Sequence, residues 1–206
     1  MKAEYALSHR SALYRITFEA DKPVYIIINS RNGSIHVGEN FISGHQQLSD
    51  NTNVYVYIEP QEKPVSTGVL ENGVIEASKD NANGTNACAA WRFADGTTTI
   101  NLRYGISFIS EEQAEKNLRS ELGDYDINKL AETGRRIWNE ALGRIKVEGG
   151  TENDKTVLYS SFYRTFERPI CMSEDGGLYF SAFDGKVHND NGIPFYTDDW
   201  IWDTYR

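Results

Sequence analysis

The chain has 206 residues, of which 39% are hydrophobic and 25% charged, and its net charge is −9 at pH 7. This length suits one large domain, or one domain with part of another. The negative charge and the lack of a basic run argue against a nucleic acid as partner, because that affinity depends on clustered Lys and Arg. No apolar run is long enough to span a bilayer, and the residues after Met1 lack the apolar core of a secretory signal.

The first half of the chain has the pattern of consecutive short strands. Residues 11–18 alternate between apolar and polar side chains, with Tyr14, Ile16 and Phe18 on one face. Three further segments are rich in the β-branched and aromatic side chains that favour a pleated sheet: residues 24–28, 54–58 and 97–108. The turn signals between strands are the Asn-Gly pairs at 32–33, 72–73 and 83–84 and the Asp-Gly pair at 95–96. Residues 1–109 are therefore predicted to form an antiparallel β-sandwich.

The pattern changes to helices at Ser110. Ser110 and Gln113 have the spacing of a capping box, in which each side chain bonds the backbone amide of the other residue. The inward-facing residues of this helix are predicted to be Ala114, Leu118 and Leu122, and Gly123 is placed to end it. A second helix is predicted after Asp126, with Trp138 as a packing residue. Residues 145–147 are expected to be a short extended link, and residues 110–150 together a helical linker.

A third helix is predicted to follow Thr151 and to open a helical domain over residues 151–206. Its inward-facing residues are expected to be Val157, Leu158, Phe162 and Phe166, and Pro169 lies beyond its end. Residues 172–183 are predicted to form a hairpin around a turn at 175–177, and a Gly-rich loop then continues to Pro194. Residues 197–199 can cap a last helix that begins near Trp200.

The two cysteines, Cys88 and Cys171, lie far apart and lack the spacing of a metal site or redox pair. Buried free thiols are the favoured interpretation, and the sequence leaves a disulfide between them open.

Asp184 and His188, four residues apart, could share a substrate proton or a metal ion. An aspartate that bonds nearby loop amides is the commoner arrangement, and the spacing does not decide between them. Residues 188–192 offer calcium-type oxygen atoms but lack the EF-hand pattern, which favours a polar turn. The other histidines share no spacing and are predicted to be ordinary surface or core residues: His9, His36 and His45.

Residues 196–206 (YTDDWIWDTYR) are rich in the side chains that bind sugars. Aromatic rings can stack on the apolar C–H faces of a sugar ring. Asp and Arg form charged hydrogen bonds to its hydroxyl groups. In a helix, Trp202 and Arg206 would share one face. The alternative is a core position for the indole rings with an internal ion pair between Asp203 and Arg206, and spacing alone favours that alternative.

Several motifs, in order along the chain, resemble those of glycoside hydrolase family 92. The longest are residues 103–110 (RYGISFIS), 138–143 (WNEALG), 183–188 (FDGKVH) and 202–206 (WDTYR). Shorter matches lie at 112–118, 145–149 and 155–159. Because these motifs are collinear, the resemblance is specific across residues 103–206. Before residue 100 it depends on the strand pattern and on residues 12–16 (ALYRI).

The resemblance implies an exo-acting, calcium-dependent α-mannosidase that removes mannose from glycans, usually at α-1,2 linkages, with inversion of configuration. It also implies a β-sandwich, a helical linker and an (α/α)6 barrel, of which this chain would hold much of the sandwich, the linker and the opening of the barrel. A periplasmic or secreted bacterial protein is expected. Residues 198–201 (DDWI) depart from the family pattern, which leaves the linkage preference open.

By similarity, Asp203 and Arg206 would bind mannose hydroxyl groups, and Trp202 would form a wall of that subsite. Inversion needs an acid and a base whose carboxyl groups are roughly 6.5–9.5 Å apart. Both of these residues and most calcium ligands are expected beyond residue 206, so no catalytic residue is assigned, and the isolated chain is predicted to be inactive. Two other functions are weighed: a non-catalytic carbohydrate-binding β-sandwich module, and a structural sandwich whose helices serve interaction.

Overall fold

The computed structural model describes residues 1–19 and 22–198. Within these residues, two antiparallel sheets pack face to face, which confirms the predicted β-sandwich. Its strands are β1 (Lys2–Leu7), β2 (Ser11–Thr17), β3 (Tyr25–Ser30), β4 (Gly33–Val37), β5 (Ile42–Ser49), β6 (Thr52–Pro60), β7 (Ser66–Glu71), β8 (Val74–Glu76), β9 (Asn81–Gly84), β10 (Ala87–Arg92) and β11 (Thr99–Ser107). The described strand order is β1-β2-β11-β6-β5-β4-β9 in the larger sheet and β3-β10-β7-β8 in the smaller one.

The main core lies between the two sheets, where alternate residues of each strand point inward. Trp91 and Ile100 have no exposed surface and Phe93 is 1% exposed. The apolar face predicted for residues 11–18 packs against this cluster through Tyr14 and Ile16 of β2 and Phe18 just after it. Burial of side chains of this size contributes about 1.5–3 kcal/mol each, so the facing apolar surfaces hold the sheets together.

The predicted turns are present, with one change of position. The β7–β8 turn places Asn72 at φ 50° and Gly73 at φ 81°, the backbone that Asn-Gly pairs favour in tight hairpins. The turn predicted at 83–84 is wrong by two residues. Asn83 and Gly84 end β9, where they pair with Ser34 and Gly33 of β4, and the turn follows at 85–86. The pairing of β4 with β9 thus continues through the Asn-Gly pair that was predicted to form the turn.

A groove of about 460 Å³ lies beside β3 and is lined by residues of both sheets, with an apolar lining that includes Tyr14, Ile16, Ile28, Ile58 and Tyr104. β3 is the edge strand on this side, and its outward Ile27 is 57% exposed. Apolar side chains and unpaired backbone groups therefore meet along one edge of the sandwich.

The first helix, α1 (Glu111–Glu121), packs on β11 and β6. The three predicted inward residues are buried: Ala114 and Leu118 have no exposed surface and Leu122 is 5% exposed. At its end, Leu122 adopts an extended backbone and caps the helix. Gly123 is the first residue after this cap, which is where the sequence predicted the helix to stop.

Only half of the predicted capping box at α1 forms. The Ser110 hydroxyl accepts a hydrogen bond from the Gln113 amide at 3.1 Å, as predicted. The Gln113 side chain does not return the bond; its Nε2 donates instead to Asn117 Oδ1 and to the Asp175 carbonyl. Gln113 is 7% exposed, so its amide takes part in a buried polar network.

The second helix, α2 (Ile127–Leu142), begins after the Asp126 cap, as predicted. Asp126 Oδ1 accepts hydrogen bonds from the amides of Asn128 and Lys129 at 3.1 Å. The indole of Trp138 packs on the ring of Tyr163 at a centroid distance of 4.5 Å, which confirms its packing role.

The third helix, α3 (Glu152–Arg164), begins with a complete capping box between Thr151 and Asp154. Its start is therefore confirmed, but the predicted inward face is wrong within the described residues. No residue of α3 is buried, Val157 and Leu158 are 58% and 38% exposed, and Phe166 lies beyond the helix end at 42% exposed. α3 packs against α2.

The described chain ends in two short strand pairs. The elements are β12 (Ile170–Cys171), β13 (Leu178–Ser181), β14 (Lys186–Asn189) and β15 (Tyr196–Thr197). β12 pairs with β15, and β13 pairs with β14. The predicted hairpin over 172–183 is therefore wrong: a turn exists at 174–178, but the hairpin closes around 182–185, and β14 replaces part of the predicted loop. Cys88 and Cys171 are free thiols, half-buried rather than buried.

Candidate functional site

The residues predicted to bind a sugar, Trp202, Asp203 and Arg206, lie outside the described residues, as does the predicted helix start near Trp200. β15 is the last described element before them. It is held by antiparallel pairing of Tyr196 with Cys171, and the Met172 amide donates to the Phe195 carbonyl at 2.8 Å. The backbone that leads into the predicted sugar contacts is thus anchored to the segment that follows α3.

Asp184 and His188 are brought together, as their spacing suggested. His188 Nε2 lies 2.9 Å from Asp184 Oδ2, and the Lys186 amide donates to Asp184 Oδ1 at 3.2 Å. Partial burial raises the pKa of Asp184, but hydrogen bonds from Ser181 and His188 outweigh that effect and lower it. The carboxylate therefore bonds a loop amide, the commoner of the two arrangements considered from the sequence, and also contacts the imidazole; the sharing of a substrate proton or a metal ion stays a prediction.

The ring of Tyr179 lies between two other rings. Its centroid is 4.2 Å from that of Phe195 at an interplanar angle of 13°, and 5.4 Å from that of His188 at 27°. Tyr179 and His188 are directly opposite in the β13–β14 register. Offset stacking of this kind is favourable for aromatic rings, so the three form one ordered group.

The residues predicted to form a polar turn do so. Asn189 Oδ1 accepts a hydrogen bond from the Asn191 amide at 2.7 Å, and Asp190 Oδ1 accepts one from the Gly192 amide at 2.9 Å. Over residues 1–19 and 22–198, no three His, Cys, Asp or Glu side chains are grouped so that they could hold a metal ion.

A buried carboxylate that the sequence did not single out joins three parts of the chain. Glu174 is 6% exposed and accepts hydrogen bonds from the Ser107 hydroxyl at 2.6 Å, the Phe108 amide at 2.8 Å and Asn117 Nδ2 at 2.8 Å. Asn117 Oδ1 in turn accepts from the Asp175 amide at 3.1 Å. The network fixes the segment after α3 against α1 and the end of β11.

A second missed cluster joins β6 to β11 and α1. Glu59, 7% exposed, accepts hydrogen bonds from Arg103 Nε at 2.5 Å and from both terminal nitrogens of Arg119 at 2.7 Å. Burial raises the pKa of Glu59, but its bonds to Arg119 and Arg103 outweigh that effect and lower it. Burial and the nearby carboxylates raise the pKa values of Tyr57 and Tyr125 to about 12. The partners of Glu59 lie 44 and 60 positions away in the chain, so the cluster is visible only in the folded structure.

Comparisons with known proteins identify the family. The model of the glycosyl hydrolase family 92 N-terminal domain matches residues 1–107, and that of the catalytic domain matches residues 113–206. The structure of a family 92 inverting mannosidase from Bacteroides thetaiotaomicron superposes with a TM-score of 0.87 and 27% identity, over 99% of this chain and 29% of that chain. A second family 92 α-mannosidase from the same organism has a TM-score of 0.85 at 21% identity over 99% of this chain and 30% of that one, which supports the fold.

A fungal relative matches part of the chain. An uncharacterized secreted glycosidase of Arthroderma benhamiae is 31% identical over 102 residues, covering 44% of this chain and 13% of that protein. The chain thus spans less than a third of the length of the relatives it matches. In the part of the chain that the structure describes, no helix is long and apolar enough to cross a membrane.

Proposed function

Because the chain belongs to glycoside hydrolase family 92, we propose that it is part of an exo-acting α-mannosidase that removes mannose from glycans, at α-1,2 linkages and with inversion. The observation that carries this proposal is the similarity to the inverting mannosidase, with 27% identity and a TM-score of 0.87 over 99% of this chain. The fold extends from the sandwich into the start of the helical domain, as in that protein.

We propose that residues 1–109 are the sandwich domain, 110–150 the linker and 151–206 the start of the catalytic barrel. The ends of the two family-model matches, at residues 107 and 113, support a division near Ser110. The start of α3 directly after Gly149 and Gly150, both with positive φ, supports the second division.

Within this chain, we propose that Asp203 and Arg206 bind hydroxyl groups of the terminal mannose and that Trp202 forms a wall of the subsite. Charged hydrogen bonds are the stronger ones, and the planar fork of Arg suits adjacent hydroxyl groups. Replacement of Asp203 by Asn is expected to weaken α-mannoside binding by about tenfold, because one charge-assisted bond contributes about 1.5–3 kcal/mol.

The acid, the base and most calcium ligands are proposed to lie in the part of the protein that follows residue 206. The fraction of the related mannosidase that this chain covers, 29%, supports this placement. Calcium, when bound there, would polarise substrate oxygens, and no step is assigned to it within this chain. Secretion is proposed as well, with support from the name of the fungal relative.

An activity assay tests the proposal. The purified 206-residue chain is expected to bind methyl α-mannoside in preference to the glucoside, and to release no mannose from an α-1,2 mannobiose. The longer protein encoded by the gene is expected to release it, with the β-anomer as first product. Mannose release by the short chain would overturn its predicted inactivity. Binding without hydrolysis by the longer protein would favour the carbohydrate-binding module.

A further inference from the structure

The chain contains four Asn-Gly pairs, at residues 32–33, 72–73, 83–84 and 191–192. In such a pair, the backbone nitrogen of the glycine can attack the side-chain amide carbon of the asparagine. Glycine favours this step because it has no Cβ to hinder the approach and because its backbone reaches many conformations. The attack needs an amide that can lose its proton and a backbone that can rotate towards the side chain. The four pairs consist of the same two residues, so the folded structure decides which pair meets these conditions.

Three of the four pairs are held by backbone pairing or by a side-chain hydrogen bond. Gly33 begins β4 and is paired with Gln46 of β5 and with Gly84 of β9, so two of the glycines lie within the larger sheet. The Gly192 amide donates a hydrogen bond to Asp190 Oδ1 at 2.9 Å. Rotation of the backbone at these pairs first requires local opening of the structure, which slows the attack.

The fourth pair, Asn72 and Gly73, forms the two-residue turn between β7 and β8, and both residues are exposed. The strands pair as far as Glu71 and Val74, so the Gly73 amide lies outside the ladder. Among the hydrogen bonds between described residues, none has this amide as its donor. Apart from the chain neighbours of Gly73, no described atom lies within 4 Å of the position that a Cβ on this residue would take. The Gly73 nitrogen is therefore open to solvent and unhindered.

The hairpin around this turn can also open at small cost. β8 (Val74–Glu76) has three residues, and within the described part of the chain it pairs with β7 alone. The Val74 side chain is 58% exposed, so opening removes little apolar surface from the interior. Short edge elements with few buried contacts are the first to open in a native protein. The backbone motion that the attack needs is therefore available at this turn.

We propose that Asn72 is a site of spontaneous deamidation, with water as the only co-reactant. The Gly73 nitrogen loses its proton and attacks Asn72 Cγ, the bond from Cγ to the side-chain nitrogen breaks, and ammonia leaves. The product is a five-membered succinimide ring. Water then opens this ring at one of its two carbonyl groups. Cleavage at Cγ gives aspartate, cleavage at the main-chain carbonyl gives isoaspartate, and neither step changes an oxidation state.

The two products affect the hairpin differently. Both place a new carboxylate next to Glu71. Aspartate keeps the length of the main chain and tolerates the positive φ of 50° at position 72. Isoaspartate adds one methylene to the main chain, so the loop no longer matches the two-residue turn that sets Glu71 opposite Val74. Formation of isoaspartate therefore loosens the pairing of β7 with β8.

The test follows the four pairs in parallel. The 206-residue chain is incubated at mildly alkaline pH, either folded or unfolded in urea, and conversion at each pair is measured by peptide mass spectrometry. In the folded chain, Asn72 is expected to convert roughly tenfold faster than the other three asparagines, because each of those pairs must first lose at least one hydrogen bond. In urea, the four rates are expected to become similar.

Two substitutions separate the site from the general reaction. Asn72→Gly removes the reacting side chain and keeps a turn that Gly-Gly also favours, so it is expected to remove most of the isoaspartate formed by the folded chain. Asn83→Gly is the matched control, because it makes the same change in a pair held within β9, and the amount of isoaspartate should stay the same. Asn72→Asp supplies the new charge without the extra methylene. It should keep the amide signals of β7 and β8, which are expected to shift in the aged native chain.

Three results would overturn the proposal. The first is equal conversion at all four pairs of the folded chain, and the second is fastest conversion at residue 32, 83 or 191. The third is an equal lead of Asn72 in urea, because the rate would then come from the neighbouring residues in the sequence and not from the fold. A lead that is present in the folded chain and lost in urea supports the proposal.

Discussion

At the scale of single residues, the described structure is marked by carboxylates that lie in the interior. Glu59 and Glu174 are 7% and 6% exposed, yet every oxygen of each accepts at least one hydrogen bond. Such groups are tolerated because the bonds offset the cost of removing charge from water. Loss of one partner strongly destabilises the folded state, because it leaves the other charge buried and unpaired.

Replacement of Glu59 by Gln is expected to lower the free energy of unfolding by about 3 kcal/mol, because it leaves the largely buried Arg103 guanidinium without its counter-charge and removes one of the two carboxylates that pair with Arg119. The matched comparison is Arg119→Ala. The Arg119 side chain is 43% exposed, and Glu59 would keep its bonds to Arg103, so a loss of about 1 kcal/mol or less is expected. Urea denaturation of the two variants checks this order, and equal losses would contradict the assigned role of Glu59.

The same carboxylate makes stability depend on pH. Because the pKa of Glu59 is lower in the folded state, its contribution is present above the unfolded pKa of about 4.3 and is lost as the pH falls through the folded pKa. The difference in unfolding free energy between the native chain and Glu59→Gln should therefore be constant near neutral pH and shrink below about pH 4. A difference that grows on acidification would refute this sign.

At the scale of elements, polar bonds rather than apolar burial hold the segment after α3 to the sandwich. Glu174 reaches residues that are 66, 67 and 57 positions away, on the end of β11 and on α1. α3, by contrast, has no buried residue. The chain therefore leaves the sandwich through α2 and α3 and returns to it at Cys171, whose carbonyl accepts a hydrogen bond from Arg10, and at Glu174.

Replacement of Glu174 by Ala should detach this return segment. Three donors would lose their shared acceptor, and the expected loss in unfolding free energy is about 3 kcal/mol. Amide exchange at Phe108, whose N–H bonds the carboxylate, should speed up as well. Ser173→Ala provides the control, since its hydroxyl accepts one exposed amide bond and its loss should cost less than about 1 kcal/mol. An equally small effect in Glu174→Ala would show that other contacts dock the segment.

At the scale of the whole molecule, two apolar surfaces remain uncovered within the described residues. One is the groove beside β3, and the other is the outer surface of α2 and α3, which includes Ile137, Val157 and Leu158. Exposed apolar patches of this kind favour association, and an exposed strand edge adds unpaired backbone groups. The net charge of −9 opposes this tendency without removing it.

The purified chain is therefore expected to self-associate as its concentration rises. Val157→Glu should shift sedimentation towards the monomer, because it places a charge on the α3 surface. Val65→Glu is the matched control: both valines are similarly exposed, at 58% and 56%, but Val65 lies on the sandwich. A monomeric native chain at all concentrations would count against an uncovered α3 surface and against the proposed division at residue 150.

Local sequence determined much of this molecule. The features that the sequence predicted correctly depend on residues that are close together in the chain. They are the strand alternation over residues 11–18, the turn at 72–73 and the helix caps Ser110, Asp126 and Thr151. The family resemblance, carried by collinear motifs, also came from the sequence, and the two family models match residues 1–107 and 113–206.

Tertiary structure decided what local patterns cannot encode. The Gln113 side chain does not form its predicted capping bond because its amide donates to buried Asn117 and to the carbonyl of Asp175, which lies 62 positions away. The turn at 175–177 does not join paired strands, because β12 pairs with β15 and β13 with β14. The roles of Glu59 and Glu174 likewise depend on burial and on partners far along the chain. The sequence does not distinguish a glutamate in solvent from one in the interior. Only the packed fold supplies the hydrogen-bond donors that make a buried carboxylate stable.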